Sequence, residues 1–429
     1  MIQPAALGGS IGFSDAPGVA QVLLGLAIIL IGAKAGGELF DRLKQPTVLG
    51  ELAVGVIIGN LHLAGVTGLD FLRGEHVLDV LAEIGIILLL FEIGLESTIP
   101  QMLRVGGSAL LVAVIGVVVP SILGFGAARL FFPSDSGFAH LFVGAILCAT
   151  SVGITARVLQ DLRKTQTPEA KVILSAAIID DVLGLIVLAI VSGMIAASNA
   201  GTTLGAGAIA WISAKAVLFL VASIVMGRWL APRIFRLATH LKSRRLLLPL
   251  SLSFCFLLSY LSVLAGLAPI VGAFTAGLIL EKVHFVELAT RERKQLEDLL
   301  HPISSLLLPV FFVLMGLKVD LQAFLDPGVL AFAGVLTVCA IIGKLACGAG
   351  VLSRGINRVA VGCGMIPRGE VGLIFAGIGL TLTLKGHPVV GPAIYSGVVI
   401  MVMITTLVTP VLLKWQLGSA EPEVENRAP

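Results

Sequence analysis

Apolar residues run along this chain in long unbroken stretches, and polar and charged residues gather in the short gaps between them. The stretches are about 20 residues or longer, the length that carries an α-helix across a bilayer core of about 30 Å. A membrane β-barrel would instead show alternating segments of about 10 residues. The pattern therefore predicts thirteen helical spans, at about 18–41, 47–65, 76–95, 104–132, 139–162, 169–197, 207–237, 245–265, 267–282, 299–318, 328–352, 358–383 and 387–416. Asp15 precedes the first stretch and no basic segment does, so that stretch reads as a membrane helix rather than a cleaved signal.

The gaps orient the spans. Those after spans 1, 3, 5, 7, 9 and 11 hold Arg42, Lys44, Arg104, Arg163, Lys164, Arg236, Lys242, Arg244, Arg245, Arg291, Arg293, Lys294, Arg354 and Arg358, whereas the alternate gaps hold Arg73, Lys318 and Lys385. Basic loops stay on the cytoplasmic side, which predicts an outer N-terminus and a cytoplasmic C-terminus in a bacterial inner, or plasma, membrane.

Two stretches resemble each other. LGELAVGVIIG (Leu49–Gly59), followed by LLLFEIGLE (Leu88–Glu96), matches VGAFTAGLILE (Val271–Glu281), followed by VFFVLMGLK (Val310–Lys318). Gly50, Gly55, Gly94 and Leu95 each have an equivalent 222 positions later, at Gly272, Gly277, Gly316 and Leu317. The offset pairs spans 2–6 with spans 9–13. Seven spans separate the partners, so the second unit is expected to cross the membrane upside down. Inverted repeats are a device of secondary transporters, whose sites lie near the midplane on broken helices.

Composition agrees with a lipid-embedded bundle. Of 429 residues, 57% are hydrophobic and 13% charged, against about 25% charged in soluble domains. The net charge of +3 comes from residues in loops, where topology places them, so no nucleic-acid partner is implied. Cys148, Cys255, Cys339, Cys347 and Cys363 all fall inside apolar stretches without CxxC spacing, and read as small buried hydrophobes.

Ionisable groups at the bilayer centre are costly and therefore mark function. Asp180 and Asp181 stand about twelve residues into the sixth span, in AAIIDDVLGLIVLAIV, with no basic partner one turn away. Adjacent carboxylates in a low dielectric repel, and desolvation favours their neutral form, so such a pair exchanges a proton for a hard cation. Lys344, in AIIGKLACG, is the cation in the middle of the eleventh span and is expected to neutralise Asp180, leaving Asp181 for the transported ion. Consecutive helical residues point about 100° apart, so the two aspartates need not share a partner. CATSVGIT (Cys148–Thr155) places Thr150, Ser151 and Gly153 at the same depth, and GMIPRGEVG (Gly364–Gly372) breaks its span at Pro367 and Gly369. Two broken helices crossing there would free carbonyls and hydroxyls for a cation such as Na+, with Arg368 and Glu370 offsetting the half-helix dipoles. Structural acids, a snorkelling lysine or packing kinks are the plainer readings of the same residues. Glu51, Glu92 and Glu96 read either as an acidic entry funnel or as solvated helix ends. Lys34, Arg157 and Lys215 carry no assignment.

ATSVGIT, IIDDVLGL, PVFFVLMGLKVDL, the GK of the eleventh span and PRGEVGL occur in this order across nearly the whole membrane portion. Together they resemble the monovalent cation:proton antiporter superfamily, in the branch holding NapA-type Na+/H+ antiporters and Kef-type K+ efflux systems. The resemblance implies an all-α, NhaA/NapA-like fold of about thirteen helices working as a homodimer with an elevator-like core. In that layout residues 1–103 (spans 1–3) and 241–325 (spans 8–10) form the dimerisation domain. Residues 104–200 (spans 4–6) and 326–418 (spans 11–13) form the core, 201–240 the linker span, and 419–429 a cytoplasmic tail. Asp181 matches the ion- and proton-binding aspartate and the Na+ ligand, Asp180 the partner of the lysine (here Lys344), and Thr150 the broken-helix threonine, with Ser151 beside it. The double aspartate goes with electrogenic exchange of two protons per Na+. Kef-like members differ at the first acidic position and carry nucleotide-binding domains; this chain has both aspartates and a short polar tail after Trp415, which favours the NapA-like side.

The expectation is thus a transporter rather than an enzyme, without a cofactor, moving Na+ or Li+ against H+ for pH homeostasis. A K+/H+ antiporter of the same fold is the alternative, since selectivity depends on site geometry and hydration. A Na+-coupled organic-anion symporter would bring its substrate against two carboxylates, and a passive channel would need neither the repeat nor a titratable pair.

Overall fold

The computed structural model describes residues 18–43, 45–96, 107–201, 206–239, 246–280 and 295–418. Asp15, Lys44, Arg104, Lys242, Arg244, Arg245, Arg291, Arg293, Lys294, Glu281 and the 419–429 tail lie outside these residues, as do the side chains of Glu96 and Arg157. The helices are α1 (Gly18–Arg42), α2 (Thr47–Gly59), α3 (His76–Glu96), α4 (Gly107–Phe131), α5 (Gly137–Cys148), α6 (Val152–Asp161), α7 (Pro168–Asn199) and α8 (Ala206–Thr239). They continue as α9 (Leu247–Leu264), α10 (Pro269–Ile279), α11 (Leu296–Leu317), α12 (Pro327–Leu345), α13 (Arg358–Gly364), α14 (Gly369–Thr381) and α15 (Pro392–Leu417). A hairpin of β1 (Thr383–Leu384) and β2 (His387–Pro388) joins α14 to α15.

Local chemistry sets many of the starts. The Ser136 and Thr167 hydroxyls accept backbone N–H groups of the first turns of α5 and α7, and the Asp326 carboxylate does so for α12. Proline opens α7, α10, α12 and α15, where no N–H is needed.

Among the described residues nine helices are long and apolar enough to cross a bilayer, and α13 with α14, bent by 49°, adds a tenth. The sequence pattern predicted thirteen, and the difference falls on three elements. α2 and α10 are apolar but have 13 and 11 residues, only about 20 Å or less of helix. α3 has the length but carries Asp79, Glu83 and Glu92. The predicted span at 47–65 ends as an α-helix at Gly59, where Asn60 is held by one bond to its own last turn and by two long-range bonds. Its side-chain amide donates to Val56 O and Val319 O, and its side-chain oxygen accepts the N–H of Leu321. The predicted span at 328–352 turns into a 3-10 helix, Ala346–Gly350, two residues after Lys344.

The outer faces are apolar. Trp211, Trp229 and Trp415 are 67%, 61% and 78% exposed. Trp211 and Trp229 are eighteen residues apart on α8, about 27 Å along the axis, which suits a pair of interfacial anchors.

The chain packs as two compact units, Met1–Ile86 with His301–Leu321, and Ile87–Leu300 with Gln322–Pro429. In the first, a side chain on Gly50 would overlap the Gly36 carbonyl, one on Gly55 the Val313 carbonyl, and one on Gly316 the Leu52 carbonyl. In the second, Gly272 stands in the same way on Leu258, Gly277 on Phe91 and Gly94 on Phe274. Every residue in the second set is the counterpart of one in the first, 222 positions away. The repeat read from sequence is thus written into backbone-to-backbone packing, with α2 on α11 and α10 on α3. Small residues permit such approach inside a membrane.

Candidate functional site

The paired aspartates, Lys344 and the two chain breaks all belong to the second unit. α7 is a 32-residue helix, and Asp180 and Asp181 sit a little before its midpoint. Their environments differ. Asp180 is fully buried, and its Oδ1 accepts a hydrogen bond from Lys344 Nζ at 2.8 Å, with both side chains 0% exposed. Asp180 Oδ2 has no hydrogen-bond partner. Asp181, one residue on and turned about 100°, keeps 8% exposure, and its Oδ1 has no partner. Lys344 reaches the aspartate from the last turn of α12, where the chain tightens into the 3-10 segment.

Two chain breaks cross beside this pair. α5 stops at Cys148, and Ala149 is extended (φ −60°, ψ 143°) before α6 resumes at Val152. α13 stops at Gly364 and α14 begins at Gly369. The breaks bond to each other: the Ser151 N–H donates to Pro367 O at 2.8 Å. The Ser151 hydroxyl lies 2.9 and 2.8 Å from the two Glu370 carboxylate oxygens, to which it donates. Gly369 has φ +28°, and a side chain there would meet Ser151 Oγ at 2.6 Å, so the crossing needs glycine on two counts.

Arg368 is 0% exposed and donates from Nη1 to Ala149 O at 2.9 Å and from Nη2 to Ala340 O at 3.2 Å. Its positive charge thus meets the carbonyl that ends α5, while Glu370 lies in the first turn of α14. Each charge stands where the half-helix dipole favours it. Thr150, also 0% exposed, has a side-chain oxygen without a partner.

The structure therefore joins Lys344 to Asp180, Ser151 to Glu370, and Arg368 to the α5 break. It does not turn the Ser151 hydroxyl toward an aspartate, nor does it pair Arg368 with Glu370. Glu51 is buried on α2 and feels the charge of Lys34 on α1. Lys215 is half-buried, its Nζ near Gly266. Three contributors carried no assignment from sequence. Thr155 donates to Gly364 O at 2.7 Å and ties α6 to the end of α13. Asn357 caps α13, donates its N–H to Glu169 on α7 and its amide to Gln416 on α15. Gly116 on α4 lies against the ion pair. Thr155 stood within a motif already conspicuous, whereas Gly116 is one glycine of 50.

A bundle of membrane helices with two interrupted helices crossing beside a buried acid–lysine pair defines a multi-pass membrane protein of the secondary-transporter class. The chain belongs to the sodium/hydrogen exchanger family: residues 25–417 match the family model described as "Sodium/hydrogen exchanger, transmembrane". It is 36% identical over 447 residues to the high-affinity Na(+)/H(+) antiporter NhaS3 of Synechocystis sp., covering 96% of this chain and 93% of that protein. It is 32% identical to the Na(+)/H(+)-K(+) antiporter GerN of Bacillus cereus, covering 92% and 96%. The solved structure of the sodium proton antiporter MjNhaP1 from Methanocaldococcus jannaschii shares the fold, with a TM-score of 0.69 at 18% identity over 93% of this chain and 97% of that one.

Proposed function

We propose that this chain exchanges Na+ or Li+ for protons by alternating access, with the two cargoes competing for Asp181. The observation that carries the reading is the asymmetry of the acid pair. Lys344 neutralises Asp180, while Asp181 retains an unpartnered oxygen beside a chain break that leaves Thr150 Oγ1 unpartnered too. Buried oxygens without partners are costly, and a set of carboxylate, hydroxyl and carbonyl oxygens suits a hard cation. Protonated, Asp181 presents no net charge for Na+; deprotonated, it supplies one. Binding of either cargo thus excludes the other, which is the requirement for antiport.

Further elements of this reading follow from the resemblance and the loop charges. The double aspartate goes, by that resemblance, with electrogenic exchange, two protons per Na+. Residues 104–200 and 326–418 act as the moving core, 1–103 and 241–325 as the dimerisation domain of a homodimer, and 201–240 as the linker. The protein lies in a bacterial inner membrane with its N-terminus outside and its C-terminus in the cytoplasm. The name of the GerN relative includes K+, so a K+ arm belongs in the test.

Purified protein in liposomes with a trapped pH dye, under an imposed proton gradient, is given Na+, Li+ and K+ in turn beside Asp181→Asn. Na+ and Li+ are expected to dissipate the gradient, K+ not, and the variant to be silent. A K+ response would move the reading to K+/H+ exchange; silence to every cation across a range of pH would sink antiport.

A further inference from the structure

The Lys344–Asp180 pair is closed on one side by α4, and at the point of closest approach α4 bears no side chain. A Cβ on Gly116 would stand 2.9 Å from Cys347 Sγ, 3.2 Å from Lys344 Nζ and 3.3 Å from Asp180 Oδ1. Among the described glycines it alone faces both members of an ion pair; Gly124 on the same helix faces Gly144 and Val143, and Gly343 faces Pro120. Cys347 lies in the 3-10 segment three residues after Lys344, and thiol and ammonium border one gap at Gly116.

We propose that Gly116 is a positioning residue for cation exchange: its missing side chain is the space in which the Lys344 ammonium rests against Asp180. This inference rests on the antiport reading. Contacts between non-bonded heavy atoms are comfortable at about 3.5–4.0 Å, so a methyl at Gly116 forces something to move. α4 cannot retreat, because its backbone is wedged elsewhere. Gly350 stands on the backbone of Leu111 and Val112, and Gly144 on the Ser121 carbonyl. The movable group is the lysine, whose charge rides on a flexible four-carbon stem. Pushed aside, the ammonium neutralises Asp180 less, and the charge of Asp180 adds to that of Asp181. Na+ is then held more tightly and released more slowly, so KM and kcat fall together.

The test is Na+-driven proton release by Gly116→Ala in proteoliposomes beside the wild type. Both KM and kcat for Na+ are expected to fall by about fivefold, the order of one weakened charge contact. Adding Cys347→Ala, which removes the nearest overlap, is expected to return both toward wild type. A fall in kcat with KM unchanged would mark a lesion of packing alone and overturn the proposal, as would constants equal to wild type. If Gly116→Ala gives no monodisperse protein, Cys347→Met enters the same gap from the opposite wall. The same joint fall is then expected, and unchanged constants there also overturn it. Wild-type protein that ignores Na+ and Li+ would instead remove the antiport reading beneath it.

Discussion

Two carboxylates adjacent on one helix end in different surroundings because a helix turns its side chains by about 100° per residue. Asp180 faces Lys344 and is sealed from solvent, while Asp181 keeps a small exposure. A buried pair of this kind is fragile to half-removal: taking away one partner leaves an uncompensated charge, at a cost of about 3–5 kcal/mol, whereas replacing both by neutral groups is far milder. Lys344→Met and Asp180→Asn are each expected to lower the thermal unfolding midpoint in detergent, and the double variant to recover most of the loss. Equal losses in all three would mean that the contact contributes nothing specific. These residues were legible in the sequence because a charge in an apolar stretch is conspicuous on composition alone. Gly116 was not, because what matters there is an absent side chain, and only the positions of Lys344 and Cys347 give that absence a meaning.

At the scale of elements, the breaks were legible where the chain carries its own breaker and illegible where tertiary contacts make the break. Pro367 and Gly369 announce the α13–α14 interruption. The end of α2 at Gly59 depends on Asn60 bonding Val319 and Leu321, about 260 residues away, and nothing local signals it. The turn from α-helix to 3-10 after Lys344 is likewise a packing effect, with Gly348 against the Arg358 carbonyl and Gly350 against α4. The repeat was legible as four matched positions, and its packing makes an element-scale prediction. Gly55→Ala and Gly277→Ala are 222 residues apart but each drives a methyl into a carbonyl of the facing helix. Overpacking of this type costs about 1–3 kcal/mol, and the two variants are expected to lose similar amounts of thermal stability. Gly126→Ala, with nothing within 4 Å of the added atom, is expected to be neutral or to gain by up to about 1 kcal/mol from helix propensity. Unequal effects at Gly55 and Gly277 would show that the repeat is matched in sequence without being matched in load.

At the scale of the whole molecule, the function depends on which side of the membrane each end of the site opens to, and that depends on orientation. The proposed orientation puts Gln166 and Arg354 in the cytoplasm and Asp135 and His387 outside, since the gaps after odd spans carry the arginines and lysines. All four side chains are exposed, and the chain holds five cysteines, four of them buried. Replacing those five by alanine or serine, and introducing a cysteine at each of the four positions in turn, makes the orientation readable in intact cells with a membrane-impermeant maleimide. Asp135→Cys and His387→Cys are expected to label from outside, and Gln166→Cys and Arg354→Cys only after the cells are opened. The reverse pattern would invert the protein and exchange the faces to which the site opens. A mixed pattern would contradict the odd number of crossings expected between the repeats. Charge in the loops, about 15 Å from the bilayer centre by the length of half a membrane helix, is thus expected to set which face of the site meets the cytoplasm, and the ion gradients then set the direction of exchange.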